Sequence, residues 1–156
     1  MPNVPSPPDD PEGLRGSVTL SLSTRLADVA MAGTAVKAIC TAAGLDEEGA
    51  GGMELAVVEL LNNIVIHGHA KADGFKMQVE VDAQGEVVRL RIHDVGAPVP
   101  QSALTRTFGF DPADIEALPE SGMGLMLVRA SVDELDYRAG PDGNIMTLTK
   151  YLRPRA

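Results

Sequence analysis

Aromatic residues are scarce in this 156-residue chain, at 3% (two Tyr, three Phe and no Trp), which leaves little to stack on nucleic-acid bases. Basic residues are also few. Thirteen Lys and Arg stand against 22 Asp and Glu, for a formal net charge of −9, so no direct contact with nucleic acid or with an anionic membrane is expected. A protein partner is the better expectation. The lone cysteine, Cys40, excludes an intramolecular disulfide framework and suits a reducing compartment, which points to the cytoplasm. No unbroken apolar run approaches the length of a transmembrane helix, and the proline-rich, acidic start is not a signal peptide. Two common phosphate-binding signatures are missing as well. There is no Gly-x4-Gly-Lys-Ser/Thr loop and no Gly-x-Gly-x2-Gly after a strand, so P-loop and Rossmann readings fall away.

What remains fits one compact domain, 44% hydrophobic and 22% charged, with enough chain for a single core. Residues 1–15 hold five prolines and are expected to form a disordered tail. The domain itself is placed at residues 16–153. Ser17 to Ser23 alternates like a strand, and Asp28 to Ala43 reads as a helix closed by Gly44. Asp46 is the expected cap of a second helix running to Gly68, with Gly49-Ala-Gly-Gly52 a possible break within it. Phe75 to Val81 and Glu86 to His93 are expected to pair across Asp82-Ala-Gln-Gly85. Asp133 to Arg138 and Asn144 to Tyr151 form a last hairpin. The expected architecture is an α/β two-layer sandwich, a mixed and mainly antiparallel sheet with helices on one face.

Three segments carry chemistry. In Glu59-Leu-Leu-Asn62-Asn63-Ile-Val-Ile-His67-Gly68, apolar residues keep helical spacing while Glu59, Asn63 and His67 fall at i, i+4 and i+8 on one stripe. Glu59 offers an oxygen that can accept a proton. Asn63 offers a neutral oxygen of the kind Mg²⁺ takes when phosphates supply its other ligands. The alternative is a solvated helix face with a polar end. Val87 to His93 alternates as a half-buried strand ending at Asp94, whose carboxylate suits an exocyclic amine such as that of adenine, and Gly96 lets the backbone turn close by. Asp-x-Gly is also a plain turn signal. Gly122-Met123-Gly124 opens a run with helical spacing, where free amides and the helix dipole favour an anion. Between Gly96 and Gly122 runs a long segment broken by Pro98, Pro100, Pro112 and Pro119. One short helix is expected within it, over Asp111 to Leu118.

The order Glu-x3-Asn, Asp-x-Gly, Gly-x-Gly resembles the GHKL ATPase superfamily, which includes the ATP-binding domains of gyrase, MutL and histidine kinases. Its phrases are most similar to the RsbW and SpoIIAB type of anti-sigma-factor serine kinase, over roughly Ser17 to Leu152. The resemblance implies a Bergerat-type ATP-binding fold, with ATP and Mg²⁺ as cofactors and residues 97–121 as an ATP lid. It implies Asn63 as the Mg²⁺ ligand, Glu59 as the base, and Asp94 and Gly96 at the adenine. Gly122, Met123 and Gly124 would meet the phosphates. Asn144 takes the place of the threonine often found after glycine in the last hairpin, and is expected at the adenine or its water. Pro98 stands where many members have a second glycine, and Gly33 where a sporulation-type relative has a partner-binding arginine. The implied activity is a serine/threonine protein kinase and anti-sigma factor in bacterial partner switching. Its implied partners are a STAS-domain anti-anti-sigma factor, a sigma factor and a second copy of the chain. Alternatives are an ATP-binding sequestering regulator with little or no transfer, and a histidine-kinase catalytic domain separated from its dimerisation module.

Overall fold

The structure, a computed structural model, describes residues 15–68, 74–100, 104 and 123–152. The expected tail (except Arg15), the short helix at Asp111 to Leu118 and most of the 97–121 segment lie outside these residues. Strand β1 (Gly16–Ser23) leads into helix α1 (Leu26–Ala42) and helix α2 (Glu47–Asn63), which passes into a single π-helical stretch, Ile64–Gly68. Strands β2 (Lys76–Gln84) and β3 (Val87–Asp94) follow, then helix α3 (Met123–Ser131) and the hairpin of β4 (Glu134–Gly140) and β5 (Gly143–Tyr151). The five strands lie in the order β1-β2-β3-β5-β4, and every pairing is antiparallel. The sheet is therefore purely antiparallel rather than mixed, because each neighbour is reached by a hairpin or by a return from the opposite end.

Alternation decides which face is covered. Met77, Val79 and Val81 of β2, Val88, Leu90 and Ile92 of β3, and Met146 and Leu148 of β5 are buried and join α1, α2 and α3 in one core. The intervening residues, among them Glu80 and Arg91 with an ion pair of 2.9 Å, lie on the other face. Helix α1 ends as its glycine predicted. Gly44 has φ +110, and the Gly44 and Leu45 amides donate to the carbonyls of Thr41 and Cys40, the paired bonds of a Schellman ending. Asp46 caps α2 by accepting from the Gly49 amide at 2.7 Å.

The glycine run does not break α2. It serves close packing instead: a Cβ at Gly52 would sit 3.0 Å from the Ser131 carbonyl oxygen at the end of α3. Gly33 is buried, and a Cβ there would meet Val58 Cγ2 at 2.5 Å. That position, where a sporulation-type relative is expected to carry a partner-binding arginine, faces α2 in this chain. The β2–β3 turn also moves. β2 continues to Gln84 and pairs it with Val87, leaving Gly85 (φ +64) and Glu86 as a two-residue turn.

Helical continuity adds a feature that apolar runs do not show. Glu47–Gly68 form 22 helical residues whose most apolar 18-residue window has a mean hydropathy of 1.3, long and apolar enough by length and composition alone to cross a membrane. Counting unbroken apolar runs misses this because Glu54, Glu59, Asn62 and Asn63 interrupt them. Met53, Ala56, Val57, Leu60 and Leu61 of this helix are buried in the core, as in the central helix of a globular domain.

Two substitutions test the packing. Gly33→Ala is expected to destabilise the chain by about 1–3 kcal/mol, since the stiff, β-branched Val58 side chain must give way. Gly51→Ala, in the same helical run with no neighbour within 4 Å, is expected to stabilise it by about 0.5–1 kcal/mol. Urea unfolding of both variants reads the opposite signs.

Candidate functional site

Register brings the first pair together. Asp94 ends β3 on the inward face, and the β3–β5 ladder places it directly opposite Asn144. Asp94 is 8% and Asn144 5% exposed. Asp94 Oδ2 accepts from the Gly96 amide at 2.9 Å and, at 3.4 Å, from Asn144 Nδ2. The same Asn144 amide donates to the Gly96 carbonyl at 2.9 Å. Asn144 thus ties the carboxylate to the turn that follows it. Gly143 makes the arrangement possible: with φ +120, it brings β5 so close that a Cβ would lie 2.7 Å from the Asp94 carbonyl oxygen. Gly143 is the glycine that precedes Asn144 in the last hairpin, and its close approach to Asp94 exists only once β5 lies beside β3.

Helix α2 supplies the second group. Glu59 and Asn63, one turn apart and both half-buried, face the start of α3. A Cβ on Gly124 would meet Glu59 Oε2 at 3.1 Å and Asn63 Nδ2 at 3.2 Å. Only glycine therefore lets the first turn of α3 approach these two side chains without displacing them. Met123 begins α3, whereas Gly122 lies outside the described residues. The π-helical stretch after Asn63 was not foreseen from sequence. Such stretches often sit at functional sites, and this one places His67 and Gly68 beside the cavity.

Between the two groups lies a cavity of about 420 Å³, within the range of small-molecule sites. Asn63 and Asp94 line it together with Leu60, Ile64, Ile92, Leu125 and Met146, and Ala97 to Pro100 close one side. Apolar walls with a few convergent polar groups suit a flat heterocycle whose edge is read by a carboxylate. Tyr137, on the inward face of β4, completes the lining. Burial pushes its phenol above the usual range, opposed by the Val99 amide that donates to it and reinforced by the charge of Asp94. It therefore remains a neutral hydroxyl at ordinary pH. The alternation of Leu135, Tyr137 and Ala139 was the signal that would have turned Tyr137 inward. Among the described residues, no group of three or more His, Cys, Asp or Glu side chains is placed to hold a metal.

Residues 22–150 match the histidine kinase-like ATPase domain. The chain belongs to that family. Its fold is similar to that in the crystal structure of the RsbU and RsbW domains of Rv1364c from Mycobacterium tuberculosis, with a TM-score of 0.60 and 20% identity. The likeness covers 89% of this chain and 33% of that one, so the chain spans about a third of the structure it matches. No curated protein sequence matches it. Membership in the family agrees with an open antiparallel sheet carrying helices on one face and a cavity between them.

Asn144→Ala tests the tie between β3 and β5. Removing a buried donor from Asp94 and the Gly96 carbonyl is expected to cost about 1–3 kcal/mol of stability, read by chemical denaturation.

Proposed function

We propose that this chain is an ATP-dependent serine/threonine protein kinase and anti-sigma factor of a bacterial partner-switching system. The observation that carries this reading is the convergence of Glu59 and Asn63 on Gly124, at one end of an apolar cavity that Asp94 also lines. Adenine would lie between Ile64, Ile92 and Met146 with its amine toward Asp94. Gly96 and Asn144 would hold that carboxylate in place. The phosphates would extend toward Asn63 and the amides of Gly122, Met123 and Gly124, where the dipole of α3 favours negative charge.

A metal fits this donor set in one way. A single amide oxygen from Asn63 is too little to hold Mg²⁺ alone, but Mg²⁺ commonly binds through one or two side chains with phosphate oxygens and water. The ion, arriving with the nucleotide, would neutralise charge on the phosphates. Glu59, one turn before Asn63, would accept the proton of the attacking serine or threonine hydroxyl. The hydroxyl oxygen then bonds to the γ-phosphorus, the bond from that phosphorus to the β–γ bridging oxygen breaks, and ADP leaves.

The acceptor we propose is a small STAS-domain anti-anti-sigma factor, with a sigma factor as the sequestered partner. A homodimer, residues 1–15 as a tail, residues 16–153 as the ATPase domain and residues 97–121 as its lid belong to the same proposal. An acidic chain low in aromatics supports protein partners over nucleic acid, and family membership supports the nucleotide.

The test is incubation with labelled ATP, Mg²⁺ and the STAS protein of the same genome neighbourhood. Label is expected on a serine or threonine of that protein. Glu59→Ala should slow transfer by about 100-fold or more while ATP still binds. Asn63→Ala should weaken Mg²⁺-dependent ATP binding itself. Binding by the wild type without transfer would instead establish a nucleotide-gated sequestering regulator.

A further inference from the structure

Just after Asp94 the chain runs through Ala97-Pro98-Val99-Pro100, and all four residues line the cavity. Prolines carry no N–H, so this strap has only two amide donors, and both are used. The Ala97 amide donates to the Gly68 carbonyl at 2.9 Å, at the end of the π-helical stretch. The Val99 amide donates to the Tyr137 hydroxyl oxygen at 2.8 Å. The first pin joins the strap to the π-helical stretch that continues α2, the helix that carries Asn63. The second joins it to the edge strand β4, where Tyr137 pairs with Met146 of β5, itself a cavity residue.

We infer that Tyr137 is a positioning residue of the nucleotide cavity: its hydroxyl oxygen, by accepting from Val99, fixes the proline-spaced strap as one cavity wall. This rests on the reading of the cavity as the ATP site. A tyrosine that merely filled space would need only its ring. Here the oxygen accepts one of the two amide hydrogen bonds donated by a wall segment 38 residues away in sequence, whose Val99 also packs against the core. Other contacts cannot readily replace it, since Pro98 and Pro100 have no amide to offer. Losing one of its two amide hydrogen bonds loosens the strap, and affinity falls with the fraction of competent cavity.

Tyr137→Phe keeps the ring and removes the oxygen, and the test uses the full chain. Two readouts are taken: ATP titration with Mg²⁺ and amide hydrogen exchange by NMR. The ATP dissociation constant is expected to rise about three- to tenfold, the range of one net hydrogen bond. Val99 amide exchange should accelerate about tenfold or more, while the Leu90 and Ile92 amides of β3 exchange as before. In a Val99→Pro background, where the donor is already gone, Tyr137→Phe should cause no further loss of affinity. Unchanged ATP affinity, unchanged Val99 exchange, or a full additional loss in the Val99→Pro background would overturn the inference. Wild-type chain that fails to bind ATP would overturn it together with the reading of the site. That failure is distinguishable because it appears before any substitution is made.

Discussion

Helix α2 can carry a polar site only because its neighbours come close enough to bury the rest of it. Three of these approaches run through glycine: α1 at Gly33 against Val58, α3 at its start through Gly124 against Glu59 and Asn63, and α3 at its end against Gly52. Met53, Val57 and Leu61 are fully enclosed as a result, while Glu59 and Asn63 stay half-buried on the flank that faces α3. Close-packed helices transmit small displacements directly. The positions of Glu59 and Asn63 are therefore set by α1 and α3 as much as by their own helix.

The sheet contributes a second fixed point. Asp94 and Asn144 meet because antiparallel register leaves no choice once β5 lies beside β3. The hydrogen bonds among Asp94, Gly96 and Asn144 then set the course of the chain as it leaves the sheet. The strap beyond continues that course, held at Gly68 and at Tyr137. One end of the cavity is in this way built from main-chain geometry locked by a few side chains. The other end is built from α2 and the start of α3. Such division suits a ligand with a flat apolar part and a charged part, as family membership implies.

Much of this was legible in the chain. Alternation and turn residues located all five strands to within a few residues, Asp46 and Gly44 marked the helix boundary, and the spacing of Glu59 and Asn63 put both on one side of α2. The ordered appearance of the three polar segments pointed to the family that the match over residues 22–150 bears out. Misreadings share one cause. Gly49 to Gly52 looked like a break because a glycine's local cost is visible in sequence, whereas the neighbour that requires it is not. The membrane-length stretch from Glu47 to Gly68 was overlooked for a related reason, since polar residues interrupt the apolar run without interrupting the helix.

By itself, then, the sequence determined periodicity, capping, the order of the polar segments and hence the family, because these depend on residues near one another along the chain. Tertiary structure decided the rest. The sheet proved wholly antiparallel, Gly33 faced inward, Gly143 pressed against Asp94, and Tyr137 reached Val99. Each of these depends on which distant backbone lies alongside, and burial of one shared core fixes that only when the whole chain has folded.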